Sequence, residues 1–440
     1  MKSHSLKIIF IVIVITVVTL LVSPKIIGSS IEQATVENLI TLIPPEAESQ
    51  VEIRRSEFNN NWFESSALIE LIYTPLGAES ISVLMDFEID HGPLLFTPSG
   101  PKFGLAFAHI KPRVNNDWFD LAVGDFPFPL PEITLDLLAR FNQSLQLAMN
   151  VAPIEHASIE GEVSFAGLDA SLNTNSDLSA NFEMNMGRLS ATEVNTGSNL
   201  LISGIFAHST TAQVNDILAA SSAELSIPEI SSTAPVPFSI SGTLIEYGLL
   251  TSPSSTEEVE IYQNLSMPNI NSNLPLQSIY WSSEVKQLNG ELARHYYQLL
   301  SDLQGQMSST PNTATTDINA LGQKLSLLLI QNPLEFNNFL KGNAFEGDHS
   351  ADLRLEWGGL EDLDNFASLD INTALEALGA TLDISLDFEA VMRSPFAGLV
   401  DPYVQQGYLV VNNGRILIQA NFQNGVLHVN GNELPLNQFF

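Results

Sequence analysis

The chain has 440 residues, room for roughly two to three domains. It carries 17 basic against 50 acidic side chains, a formal net charge of −33, which sets nucleic-acid partners aside because that affinity needs Lys and Arg on phosphates. Cysteine is absent, which removes disulfides, thiol catalysis, zinc–thiolate sites and iron–sulfur clusters together. Apolar content of 45% supports a sizeable core, and a charged content of only 15% leaves the polar surface to Ser, Thr, Asn and Gln, which favours sheets over salt-bridged helices.

Residues 8–22, IIFIVIVITVVTLLV, form an uncharged run preceded by Lys2 and Lys7 and followed by Ser23-Pro24-Lys25. A basic flank before an apolar stretch is an export signal. Two readings stand side by side. A cleaved signal peptide would use small residues such as Gly28 and Ser30, whereas a retained anchor would draw on Ile26 and Ile27 to reach membrane length. The run of β-branched residues without a clean small-x-small site favours a signal anchor or transmembrane helix within residues 1–30. Either way the rest of the chain is exported, with the basic flank left in the cytoplasm.

Residues 31–45 read as a short amphipathic stalk helix, with Ile31, Val36, Leu39, Ile40 and Ile43 at near-helical spacing and a stop at Pro44-Pro45. The period then changes to two. Phe63, Ala67, Ile69, Leu71 and Tyr73 alternate with polar residues, and Ile81, Val83, Met85, Phe87 and Ile89 do the same, which predicts an antiparallel hairpin. Residues 103–114 predict a strand and 132–140, EITLDLLAR, a helix. Short strands then dominate from 158 to 245, clearest where Leu178, Ala180, Phe182, Met184 and Met186 alternate. Residues 251–258 are the candidate linker.

From 284 the texture turns helical. Leu288, Leu292, Tyr296, Leu299 and Leu303 predict a helix over 284–305, Ile318, Leu321, Leu325 and Leu328 another over 317–330, and PLEFNNFL a third over 333–340, with a polar loop at 308–316. Leu382, Ile384, Leu386 and Phe388 then return to period two. Asn413-Gly414, Asn424-Gly425 and Asn430-Gly431 mark tight hairpins, because both central residues of a type I′ turn need positive φ. The expected fold is α+β and β-dominated: long antiparallel sheets with a helical insertion and an N-terminal membrane anchor helix. Its parts are a β-rich region at 46–283, a helical insertion at 284–341 and a C-terminal β-rich region at 342–440 that completes the fold.

Several stretches in order resemble the YdgA-like family of Gram-negative envelope proteins, a bacterial domain of unknown function. They are the N-terminal apolar run followed by Ile31-Glu32, the segment Phe58–Ala67 (FNNNWFESSA) with Trp62, Phe63, Ser65 and Ser66, and the turn Asp90-His91-Gly92-Pro93. Leu340-Lys341-Gly342 and the closing NFQNGVLHVNGNELPLNQFF, with Asn430 and Gly431, complete the set. Where the family tends to have an aromatic residue and an Arg-Gly before Phe-Ser-Ser, this chain has Asn60-Asn61 and Trp62-Phe63-Glu64-Ser65-Ser66. The resemblance covers nearly the whole chain. It implies a protein anchored in the inner membrane and facing the periplasm, and it implies no reaction.

Chemical motifs are sparse. Asp90-His91 could orient a general base, but Asp, Gly and Pro are turn formers and no nucleophile motif accompanies them, so a structural role is expected. His295 reads as a helix-boundary residue. Asp362, Asp364, Asp370 and Asn372 form an acidic cluster without the spacing or central Gly of a calcium loop and read as a solvated helix start. Trp62-Phe63, Tyr280-Trp281 and Trp357 read as core packing, with the lining of a groove as the other reading, to which Met149, Met184 and Met186 would contribute soft contacts. No catalytic, cofactor or metal residue is assigned. The expectation is a non-enzymatic envelope protein, tethered by residues 8–27, that binds an envelope protein partner or an apolar ligand through a sheet surface. A lipid-handling groove and a periplasmic hydrolase are the alternatives.

Overall fold

The computed structural model describes residues 51–74, 80–114, 131–159, 161–234, 236–251, 258–296, 315–360, 363 and 369–434. The expected anchor and stalk helix, the centre of the 251–258 linker, the loop at 308–314, Asp362 and Asp364 lie outside these residues. Among the described residues no helix is long and apolar enough to cross a membrane.

The first strands are β1 (Val51–Asn60), β2 (Glu64–Tyr73), β3 (Ile81–His91), β4 (Leu94–Thr97), β5 (Gly100–Phe103), β6 (Ala106–Val114), β7 (Ile133–Ala139) and β8 (Leu145–Val151). Short strands follow: β9 (Ile154–Ala157), β10 (Gly161–Phe165), β11 (Leu168–Thr174), β12 (Ala180–Met186), β13 (Leu189–Glu193), β14 (Asn199–Ile202) and β15 (Ile205–Thr211). Longer ones succeed them: β16 (Ser221–Ser232), β17 (Phe238–Thr251), β18 (Glu258–Met267), β19 (Asn269–Ser272), β20 (Leu276–Asn289), β21 (Leu334–Ala344), β22 (Gly347–Trp357) and β23 (Leu378–Asp387). Closing the chain are β24 (Val410–Asn412), β25 (Arg415–Gln423), β26 (Val426–Val429) and β27 (Asn432–Leu434). The labelled helices are α1 (Thr315–Gln331), α2 (Ile371–Ala377), α3 (Phe388–Arg393) and α4 (Ala397–Gln405). The fold is β-dominated, as its alternating pattern predicts.

The chain divides into two compact units. The first comprises Met1–Ile154, Ala166–Asn185 and Thr210–Ile217; the second holds Glu155–Phe165, Met186–Ser209 and Leu218–Phe440. In the first, β1, β2, β3, β6, β7, β8 and β11 pair antiparallel in that order. Their alternation sends Ala67, Ile69, Phe87, Ile89, Ala106, Ala108 and Ile110 to one face, where they form a buried cluster. Ile69 is 0% exposed, a burial that contributes about 2–3 kcal/mol. The other face is polar and ion-paired: Arg113 with Asp86, and His109 Nδ1 with Asp136 at 2.7 Å. At the end of that polar face the β4–β5 hairpin folds over the sheet, and Leu95, 1% exposed, packs on Phe107 and Leu138.

In the second unit a long antiparallel run links β16, β17, β18, β20, β21, β22, β23 and β25. β26 and β27 follow β25, and β14 lies beside β16. The Asn-Gly expectations hold: φ is +47° and +72° at 413–414, +51° and +75° at 424–425, and +48° and +82° at 430–431, each turn closing a two-residue hairpin.

Three helix expectations need correction. Residues 132–140 are β7, because Ile133, Leu135 and Leu137 form one face and β6 and β8 supply hydrogen bonds on both sides. Residues 333–340 fall in β21, where Leu334, Phe336 and Leu340 share a face between β20 and β22. The helix placed over 284–305 begins at 290; Leu288 belongs to β20 and pairs with Val259. The helical insertion therefore sits inside 290–333 rather than 284–341, between two strands that are hydrogen-bonded neighbours. Its two ends meet where Asn289 Nδ2 donates to Asn332 Oδ1 at 2.9 Å. The expected helix at 317–330 is α1. Asp370 is the N-cap of α2, accepting from Asn372 N and Thr373 Oγ1, so it serves as a solvated helix start.

Candidate functional site

The first unit gathers the motif residues at one end of its sheet. The β2–β3 register sets Glu64 opposite Asp90 and Ser65 opposite Ile89, so Ser65 and His91 are diagonal neighbours on the core face. Ser65 Oγ lies 2.8 Å from His91 Nε2, with the two residues 3% and 4% exposed. The other ring nitrogen, Nδ1, faces the Trp62 carbonyl at 3.4 Å. A carbonyl can only accept, so Nδ1 carries a proton, and in the neutral ring Nε2 then accepts from the Ser65 hydroxyl. Backbone bonds finish the knot: His91 N to Phe63 O at 2.8 Å, Gly92 N to Leu105 O at 2.8 Å and Gly104 N to Pro93 O at 3.1 Å. Gly92 is obligatory at this crossing, because a Cβ there would lie 1.8 Å from Gly104 O. The Gly92–Pro93 peptide is cis.

A serine on a histidine whose far nitrogen is oriented by an acceptor is the outline of a nucleophile and its base. Here it is closed in: neither group reaches solvent. Asp90, on the opposite face, does not orient the ring. Its carboxyl is held above the usual range, first by burial and then by the charge of Glu64, with His91 opposing. The knot is therefore a polar lock at the sheet end. Trp62 and Phe63, read from sequence as core, are instead 50% and 53% exposed just outside it. Ser66 is exposed on the polar face, between Asn59 and Glu88.

Asn430 and Gly431 play a different part in the second unit. Asn430 Oδ1 accepts from Gln419 N at 2.9 Å and its Nδ2 donates to Tyr408 O at 2.9 Å, pinning the last hairpin to the segment after α4. His295 lies on the helix that begins at 290, its Nδ1 2.9 Å from Glu291 O, as a boundary residue would. Met149, Met184 and Met186 are half-buried.

The second unit's sheet has two unlike faces. On one, directly opposed residues run Leu225, Ile245, Leu265, Trp281, Leu340, Ala351, Ile384, Ile418, one per strand from β16 to β25, all apolar. A parallel row runs Leu249, Ile261, Val285, Phe336, Leu355, Ala380, Phe422 and on to Leu427 of β26, again all apolar. The row between them is polar only at Gln263, Ser283 and Asn338, where Trp281 Nε1 donates to Asn338 Oδ1 at 2.7 Å. The opposite face carries Glu246, Asn264, Ser282, Phe339, Asp352, Asp383 and Gln419 in one row, and its shallow cleft is lined by Glu284, Asn337, Asp352 and Arg354.

The apolar face is not sealed like the core of the first unit. None of the first row is buried, and Ile245 and Leu340 are 39% and 49% exposed. Strand spacing of about 4.8 Å and a residue rise of about 3.4 Å give the three rows a footprint of about 34 by 13 Å, on the order of 450 Å². A patch of that size matches the largest apolar patch of an ordinary monomer, about 300–600 Å², which is often a functional surface. Alternation in the sequence placed Leu382 and Ile384 on one face of their strand, whereas Val285, Phe336 and Leu340 fall in segments the sequence reads as helical; the alignment of all of them into rows depends on register, which alternation does not encode.

Such a protein is a β-dominated chain with a long antiparallel sheet, few helices and an apolar sheet face. It belongs to the bacterial family described as "Bacterial protein of unknown function (DUF945)", whose model matches residues 3–437. This agrees with the resemblance to YdgA-like proteins. No curated protein and no solved structure gives a match.

Proposed function

We propose that the protein is a non-enzymatic binding protein of the bacterial envelope. Residues 8–27 tether it to the inner membrane, its body lies in the periplasm, and the apolar face of the second unit's sheet receives an apolar ligand or an apolar segment of an envelope partner. The observation that carries this reading is the unbroken row from Leu225 to Ile418, half-exposed along its length. A face left this way in water needs a covering partner, because each exposed apolar Å² is worth about 25 cal/mol.

The test is native mass spectrometry and lipid extraction of the full chain purified from membranes, beside a variant carrying Leu340→Asp and Ile384→Asp. Apolar ligand at fixed stoichiometry, or a crosslinked envelope partner, is expected with the parent chain and lost in the variant. A bare mass with no crosslinked partner would refute the proposal. The hydrolase alternative has one observation in its favour, the Ser65–His91 pair. Ester hydrolysis by the purified chain that disappears in His91→Ala would move the reading to that class.

A further inference from the structure

We infer that the knotted end of the first unit is a membrane-contacting tip that lodges in the interfacial layer of a phospholipid bilayer. This inference is independent of the apolar face of the second unit and uses none of its residues. Three turns meet at that end, joined by the bonds His91 N to Phe63 O, Gly92 N to Leu105 O and Leu105 N to Ala139 O. They are residues 61–63, 92–105 and 140–144. Their large side chains point outward: Trp62 is 50% exposed, Phe63 53%, Phe96 74%, Phe103 72% and Phe141 53%.

The β4–β5 hairpin shows how the exposure is built. Its register pairs Leu94 with Phe103 and Phe96 with Pro101, so all four share one face. The alternate residue Leu95 faces the sheet and is 1% exposed. The inward face anchors the hairpin, and the outward face presents only apolar groups. A fold that merely needed a closed sheet end would place polar residues there.

Charge selects the occupant. The three turns contain no acidic residue, in a chain with 50 acids and 17 bases; their exposed cation is Arg140, which also donates to Gln146 at 3.0 Å, while Lys102 pairs with Leu95 on the inward face of the hairpin. Glu64 and Asp90 lie one residue pair inside the tip, and the next turn, 175–179, carries Asp177, which marks the border of the patch. Exposed aromatic rings beside an arginine and free of acidic neighbours within the turns are what the headgroup layer accepts, since the rings sit at the acyl boundary and the cation meets phosphate. The chain as a whole carries a net charge of −33, which an anionic lipid layer repels. Reach is sufficient: β1 enters from the far end of the sheet, about 33 Å away. Residues 28–50 can span at most about 75 Å, and about 50 Å with 31–45 in the helical form expected from the sequence, so the tip can reach the bilayer in which residues 8–27 would sit.

The natural absence of cysteine allows a clean test. The full chain with Ser99→Cys, at the exposed turn of the hairpin, is labelled with an environment-sensitive dye and reconstituted in phosphatidylethanolamine–phosphatidylglycerol vesicles. Gln423→Cys, on an exposed strand of the second unit, is the reference. Phospholipids brominated near the headgroup, at the ~5–10 Å depth of interfacial side chains, should quench the label at 99 by about half and leave that at 423 bright. Adding Phe96→Asp and Phe103→Asp, both on the exposed face, should abolish the quenching without changing the circular dichroism. A label at 99 that stays in water, or one shielded from water yet untouched by brominated lipid, as a second protein copy would leave it, overturns the inference. Quenching that persists in the double aspartate variant overturns it as well.

Discussion

Ile416 and Ile418 stand two residues apart on β25, on the same face, and are expected to respond very differently to truncation. Ile416 is 1% exposed; it pairs with Leu386 beside the point where β23 passes into α3. Ile418 pairs with Ile384 at the end of the long apolar row and is only half-buried. Ile416→Ala removes well-packed atoms and leaves a cavity, which costs about 3–4 kcal/mol. Ile418→Ala removes the same atoms from a surface that solvent already reaches, so no cavity forms and the loss is about 1 kcal/mol. With a urea m-value of about 2–3 kcal/mol per molar, the midpoints should fall by about 1–2 M and by less than about 0.5 M. Urea unfolding of the full chain, followed by far-ultraviolet circular dichroism, reads both. Equal losses would mean that the row is a sealed core, and the argument for an open apolar face would fail.

Other outcomes follow from the knot and the turns. Ser65→Ala should lower the stability of the first unit by about 1–3 kcal/mol in urea unfolding, because it deletes the bond to a buried imidazole. Gly92→Ala forces a methyl group into Gly104 O and should cost about 3 kcal/mol or more, visible as a drop in Tm and in soluble yield. Gly425→Ala, at φ +75°, should cost about 1 kcal/mol, measured the same way. Asp90 has a carboxyl raised above its ordinary value, so its neutral form is the one the fold favours. Its contribution is present below the ordinary carboxylate pKa and is lost as pH rises through the raised one. Asp90→Asn should therefore leave the urea midpoint unchanged at acid pH and raise it slightly at neutral pH, the gain kept small by exposure of the side chain.

Strands with strict alternation were legible in the sequence. Residues 85–90 and 382–387 carry apolar and polar residues in turn, and the Asn-Gly pairs name their own turn type. Residues 132–140 were not legible, because Leu138 breaks the alternation and Glu, Leu and Ala are helix formers. What makes them β7 is hydrogen bonding to β6 and β8, a non-local fact. The segment at 333–340 misled through Pro333, a residue as suited to opening a helix as to preceding a strand. The same limit governs the sites. Ser65 and His91 are 26 residues apart, and the register of a hairpin decides whether they meet. Trp62 and Phe63 read as core from residue type alone; their place in a turn at the sheet end exposes them.

Most strands of the long sheet pair with the strand that precedes them in the chain. Such a sheet can be laid down in the order in which the chain is delivered. Each new strand closes a short loop onto an edge already in place, so little chain entropy is lost per step. The helical excursion between β20 and β21 delays the process by one loop, closed by Asn289 and Asn332, without changing which edge is next. Until β25 arrives, the growing edge exposes both backbone donors and a strip of apolar side chains. The half-built sheet is therefore its own most adhesive state, and the speed of strand delivery governs how long that state lasts.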